Sequence, residues 1–205
     1  WDVSQITDMS ELFDGKQTFN DDIGNWDVSN VTDMYRMFID AHDFNQDLSS
    51  WDVSSVTSME YMFIRAYDFN GDISTWDVSN VTIMDLMFKA ASNFNQDLLD
   101  WDVSSVVNFR GMFESNSGFN GDISTWNPSS EADMWGMFGS ASAFNQDISD
   151  WDVSNVFNMA KMFKNATSFN QDISAWDVSS VTDMAEMFDG ASAISDSNQC
   201  AIHTA

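Results

Sequence analysis

The chain has 205 residues, 43% hydrophobic and 14% aromatic, enough apolar material for a packed core and too much for a disordered chain. Thirty-three acidic residues against seven basic ones give a net charge of −26, which excludes nucleic acid and anionic membrane surfaces as partners, because both demand clustered Lys and Arg. No apolar run approaches the ~18–20 residues that cross a bilayer, so no membrane insertion is expected of this fragment.

A tryptophan opens a 25-residue unit eight times without an insertion, at Trp1, Trp26, Trp51, Trp76, Trp101, Trp126, Trp151 and Trp176. A fixed period of this size marks a stacked array whose units bury their apolar faces only against neighbours. One solenoid is expected over 1–200, with 201–205 a truncated tail. The sequence starts and stops within the pattern, without an initiator Met or a leader, as expected of a mature or excised fragment. The single Cys200 excludes an internal disulfide and leaves any pairing to lie outside the visible chain.

Counting positions 1 to 25 from each Trp, the unit opens on Trp-Asp-Val, which continues strand material from the Asp-Ile-Ser-x that ends the preceding unit. Ile at position 23, Trp at 1 and Val at 3 cannot all face one way on a period-2 strand, so a bulge or two short strands per turn is expected. Positions 6, 9, 12, 13 and 16 follow; in the second unit these are Val31, Met34, Met37, Phe38 and Ala41. Their i, i+3, i+4, i+7 spacing predicts a short helix, with Thr32 as its cap and Thr57 with Glu60 at capping-box spacing. About two turns long, it would need stacking to survive. All fourteen methionines fall at positions 9 and 12, and position 13 is Phe in every unit. The Met and Phe columns therefore read as core rather than as a copper or redox site. The Trp column likewise reads as packing rather than a carbohydrate platform. Phe-Asn-(Gln/Gly)-Asp then predicts a tight turn, with Gly71 and Gly121 alternating with Gln. The fold class expected is α/β: eight leucine-rich-repeat-like units with short parallel strands on one side and short helices on the other.

The string W-D-V-S-N-V-T-D-M-x-x-M-F, followed by A-x-x-F-N-Q-D-I-S, resembles the repeat of BspA-like leucine-rich-repeat surface proteins, and more closely their mycoplasma-type branch. The resemblance implies an extracellular or cell-surface location and an adhesive role, and transfers no catalytic residues. The sixth unit departs from it: Pro128 removes a ladder donor, and Glu131 puts a carboxylate at an apolar position, so irregular stacking is expected there.

Asp recurs at position 2 in seven units, and at position 22 as Asp22, Asp47, Asp72, Asp97, Asp122, Asp147 and Asp172; Asn recurs at position 20 from Asn20 to Asn170. Stacked like charges need compensation. Either each Asp accepts backbone N–H groups of its own turn and the next while Asn forms an amide ladder, or the position-22 carboxylates and turn carbonyls coordinate Ca²⁺, the one cofactor the sequence suggests. Neither column has the density of a dedicated calcium loop.

No enzyme is expected, and no catalytic residue is assigned: His42 and His203 are isolated, Cys200 has no orienting partner, and no carboxylate pair stands out. Positions 10, 11, 14, 15, 17 and 18 vary. Tyr35, Ile39, Tyr61, Ile64, Tyr67, Ile83 and Leu86 place apolar groups in positions expected to face solvent, as a contact surface would, with Trp135 a second candidate. The function expected is a non-enzymatic scaffold for adhesion or interaction with a protein or surface polymer. The alternative is self-association, as a filament or sheath subunit stacking end to end, stabilised or not by calcium.

Overall fold

The computed structural model describes residues 1–128 and 131–198. The tail expected at 201–205, Cys200 and His203 lie outside the described residues. The units do stack, and in strict register: seven parallel bridges run from Asp8↔Asp33 to Asn158↔Asp183, each joining residues 25 apart. The expected helices and strands are absent among the described residues, which corrects the α/β reading. Each unit is a coil of turns, its contribution to pairing is one isolated bridge residue at position 8, and the only helix among the described residues is a single turn at 196–198.

Backbone conformation explains why no helix forms. Positions 11 and 15 are left-handed in every unit, with φ from +51° at Gly111 to +75° at Gly190, and with side chains as large as Tyr61 and Arg65. A right-handed helix cannot pass through such residues. Amide donors divide by parity instead. The N–H groups at positions 12, 14 and 16 close overlapping turns inside the unit, as in Met37→Met34, Ile39→Arg36 and Ala41→Phe38. Those at 9, 11, 13 and 15 leave it, as in Met34→Ser58, Arg36→Glu60, Phe38→Met62 and Asp40→Ile64. The left-handed residue is the third of the turns 9–12 and 13–16, where a type II turn requires φ > 0. This run of turns keeps positions 9, 12, 13 and 16 inward, and so reproduces helical spacing without a helix.

The strand expectation fails for a related reason. Amide N–H groups at positions 1 and 6 close further turns, as in Trp51→Leu48 and Val56→Val53, so no extended run survives through the Asp-Ile-Ser-x-Trp-Asp-Val segment.

The core is laid down in columns. Val at 3 and 6, Met at 9 and 12, Phe at 13 and 19, and Ile or Leu at 23 are buried in the inner units, joined by Trp from Trp51 onward. Phe at 13 and Phe at 19 stack within a unit, at 3.8 Å between centroids for Phe113 and Phe119, and each ring stacks on its counterpart in the next unit, at 5.6 Å for Phe113 and Phe138. The indoles form a third stack, 6.2 Å apart for Trp51 and Trp76 with 1° between planes. Each buried indole N–H donates to a carbonyl 28 residues back, as Trp76 does to Leu48 at 2.9 Å, which satisfies the ring's one polar atom. At the first unit the columns reach the surface, with Trp1, Ile6 and Leu12 exposed beside a cavity of about 920 Å³.

Two units depart locally and keep register. In the fifth, Asn116 replaces the Ala of position 16 and is wholly buried; its Oδ1 accepts the Phe119 N–H at 3.1 Å, a bond that the position-16 backbone carbonyl makes elsewhere. In the sixth, Glu131 does not enter the core. It is exposed, and Ala132 turns inward and is fully buried. The N–H that reaches Val107 O is now Asp133's, one residue later than in the other units, and the bridges on either side of Asp133 persist. Pro128 is buried at position 3. The irregularity expected of this unit is therefore a displaced hydrogen bond and a substituted core residue, with the bridge register unbroken; residues 129–130 lie outside the described residues.

Phe113→Ala removes a ring that stacks on Phe88, Phe119 and Phe138, and is expected to cost about 3–5 kcal/mol in denaturant unfolding. A loss no larger than that of an exposed control such as Thr125→Ala would refute the ladder's role.

Candidate functional site: a variable ridge and three columns of capped turns

The acidic columns resolve into local turns. At position 22 the Oδ1 of Asp47 accepts the Ser49 N–H at 2.8 Å, and Asp22, Asp72, Asp122, Asp147 and Asp172 bond the residue two ahead in the same way. Asp97 differs: its Oδ1 accepts the Asp122 N–H of the next unit at 2.8 Å. Position 2 repeats the arrangement with Ser at position 4, as in Asp52 and Ser54, and position 8 does so in most units, as in Asp33 and Tyr35. These are Asx turns, in which a carboxylate side chain caps its own loop. Hydrogen bonds from the serines hold Asp47, Asp77, Asp147 and Asp152 below the usual carboxylate range. Position-20 asparagines form a ladder in which each Oδ1 accepts the backbone N–H of the next Asn, as from Asn70 to Asn45 at 2.8 Å. It is the amide ladder expected, run from side chain to backbone. Among the described residues, no group of three or more His, Cys, Asp or Glu side chains is placed to share a metal ion.

The expected contact residues are only partly gathered. Tyr35, Tyr61 and Leu86 occupy positions 10 and 11 of successive units, half-buried, and the two Tyr rings lie 5.6 Å apart. Ile39 and Ile64, at position 14, are 7% exposed and belong more to the core than to a contact face. Ile83 is a bridge residue between Ser58 and Asn108. Tyr67 sits apart at position 17, exposed and against His42 at 4.7 Å. Trp135 has Arg110 of the unit before and Lys161 of the unit after over its ring, at 5.2 and 5.4 Å.

Counting cations by position gives a sharper signal than the apolar residues did. All seven (Lys16, Arg36, Arg65, Lys89, Arg110, Lys161 and Lys164) fall between positions 10 and 16, on the segment that carries the left-handed residues. Five pair with carboxylates of an adjacent unit: Arg36 with Asp14, Arg65 with Asp40, Lys89 with Glu114, Arg110 with Asp133, and Lys164 with Glu186 and Asp189. Lys16 and Lys161 have no carboxylate within ion-pair distance among the described residues.

One acid on this ridge is strained. Asp85 stands between Glu60 and Arg110 in the position-10 column, and its buried Oδ1 meets no hydrogen-bond donor. Burial, then repulsion from Glu60, pushes its pKa up to about 6. Burial, then Asp85 and Glu60, pushes the Tyr61 hydroxyl up to about 12.

Eight turn-built units with an invariant core and one variable edge define a repeat protein. The chain belongs to the family described as Mycoplasma protein of unknown function, DUF285, which matches residues 1–101 and again 91–200. No curated protein and no solved structure matches it.

Two expectations follow. An acid whose folded pKa is raised removes stability above that value, and the loss fades as pH falls from about 6 toward the ordinary Asp value. Asp85→Asn should therefore raise the melting temperature at about pH 7.5 and change it little near pH 4, where the unperturbed carboxyl is half protonated; equal gains at both would exclude the charge as the cause. The second concerns ions. With one oxygen of most position-22 carboxylates committed to turn N–H groups, Ca²⁺ and Mg²⁺ at matched ionic strength should give the same melting curve through screening alone. A rise specific to Ca²⁺, reduced by Asp72→Asn with Asp97→Asn, would show that the column coordinates calcium.

Proposed function

We propose that the chain is a non-enzymatic scaffold, extracellular or on the cell surface, that engages a protein or surface polymer through the ridge at positions 10–15. The supporting observation is segregation. Trp, Val, Met, Phe, Asn and Asp recur unit after unit because the core and the capped turns need them, whereas positions 10, 11, 14 and 15 of the ridge change in nearly every unit and carry six of the seven cations. Left-handed backbone accepts Glu, Arg, Tyr, Leu, Gly and Lys at position 11, so this variation is not dictated by the turn. A rigid frame with one freely varied edge is the usual geometry of a repeat-protein contact surface. The resemblance to BspA-like proteins supports the surface location and the adhesive role.

A second reading is end-to-end assembly. The four inter-unit donors at positions 9, 11, 13 and 15 always point toward the following unit, so one end of such a stack presents donors where the other presents acceptors. Electron microscopy over a range of concentrations would show fibres if copies join this way.

A photo-crosslinking amino acid placed at Tyr61 or Trp135, and separately at Asp72 or Asp152, distinguishes the faces when the chain is incubated with intact cells. Adducts are expected from Tyr61 and Trp135. Adducts confined to the acidic columns, or none at any position, would overturn the ridge as the contact surface.

A further inference from the structure

The sixth unit is the one unit with glycine at both position 11 and position 14, Gly136 and Gly139. The backbone requires neither. Position 11 is left-handed throughout, yet six units hold a side chain there, and a Cβ on Gly136 would meet no atom within 4 Å. Gly139 does not have a positive φ, and position 14 elsewhere carries Asp, Ile, Lys or Glu. The nearest atom to a Cβ built on Gly139 is the Gly136 carbonyl at 3.1 Å, close enough to require a small adjustment. The two absent side chains open a cavity of about 250 Å³, bordered by Glu114, Trp135, Ser140, Lys161, Lys164 and Asn165.

Its charge is unlike the rest of the surface. Glu114 is neutralised by Lys89 at 2.8 Å, and Lys164 by Glu186 and Asp189. Lys161 makes no ion pair among the described residues, its Nζ lying over the Trp135 ring and acting on the Glu186 carboxylate only from farther away. On a chain of net charge −26, an ammonium with no carboxylate within ion-pair distance among the described residues is an open anion position. The space is below the roughly 300–1,000 Å³ of sites for drug-sized ligands. A volume of this size suits one sugar ring and would be left mostly empty by a simple anion.

Building on the ridge as the contact surface, we propose that this cavity takes the carboxylate-bearing ring of an acidic glycan. Lys161 pairs with the carboxylate, Ser140 and Asn165 meet hydroxyl groups, and the Trp135 indole lies against the ring's apolar edge. Recognition is then of one charged sugar at a time, the kind of weak contact that a surface protein multiplies by avidity.

Titration of the full chain with methyl β-D-glucuronide, methyl β-D-glucoside and acetate, followed by amide NMR shifts at constant ionic strength, tests this. The glucuronide should bind saturably and about tenfold or more tighter than the other two, the scale of one charge-assisted hydrogen bond. Lys161→Gln should abolish that preference. Gly139→Ile should block binding by restoring the side chain found at Ile39 and Ile64, and Gly136→Tyr should do the same by the precedent of Tyr61. Lys16→Gln, removing the other unpaired cation, should leave binding unchanged. No saturable shift, acetate binding as tightly as the glucuronide, or undiminished binding in a folded cavity-filling variant would overturn the proposal. Such a failure would leave the ridge assignment standing if crosslinks still map to Tyr61 and Trp135.

Discussion

Backbone hydrogen bonds that leave the unit are what every other feature depends on. Each 25-residue turn spends four of its amide donors on the next unit, at positions 9, 11, 13 and 15, and the alternate ones on itself. That parity is possible only because positions 11 and 15 take the left-handed conformation, which costs an L-residue roughly 1–2 kcal/mol. Twelve non-glycine residues accept that cost. The return is a neighbour held by a continuous row of bonds, with Met and Phe columns pressed together behind it. A helix in the same place would satisfy its amides internally and leave stacking to side chains alone.

The same economy explains the acidic surface. A coil without regular structure has many loop amides to satisfy, and most Asp side chains at positions 2, 8 and 22 satisfy one two residues ahead. Hydrogen bonds from Ser29 and Ser79 hold Asp27 and Asp77 below the usual carboxylate range, so these two are easier to keep ionised than unassisted acids stacked unit on unit would be. The exception is instructive: Asp85 has a buried oxygen that meets no donor and a neighbouring Glu60, and its proton affinity rises instead.

How much of this was legible in the sequence divides along physical lines. Period, register and core columns were, because stacking forces identical residues into identical surroundings: Phe38, Phe63 and Phe88 are buried as their recurrence implies. The helix was a misreading, since three overlapping turns place positions 9, 12, 13 and 16 on one side just as a helix does. Glycine at Gly15, Gly111, Gly136 and Gly190 was the available warning that these positions are left-handed, diluted by the Tyr, Arg and Leu that share them. Ile39 and Ile64 are buried because position 14, which would lie on the exterior of a helix, turns against the core in this run of turns. Tyr35, Tyr61 and Trp135 are half-buried rather than fully turned to solvent, whereas the confinement of all seven cations to one stretch of the unit is legible by counting.

The indole straps have a mechanical meaning. Each inner Trp ties its own turn to a carbonyl 28 residues back, so tension on the chain loads one neighbour contact at a time rather than a whole domain. Pulled by its ends, such a stack peels turn by turn, each rupture releasing the 25 residues of one unit. Fully drawn out, that length is roughly 80–90 Å. A stack that yields in equal steps dissipates a sudden pull along its length instead of passing it whole from one end to the other.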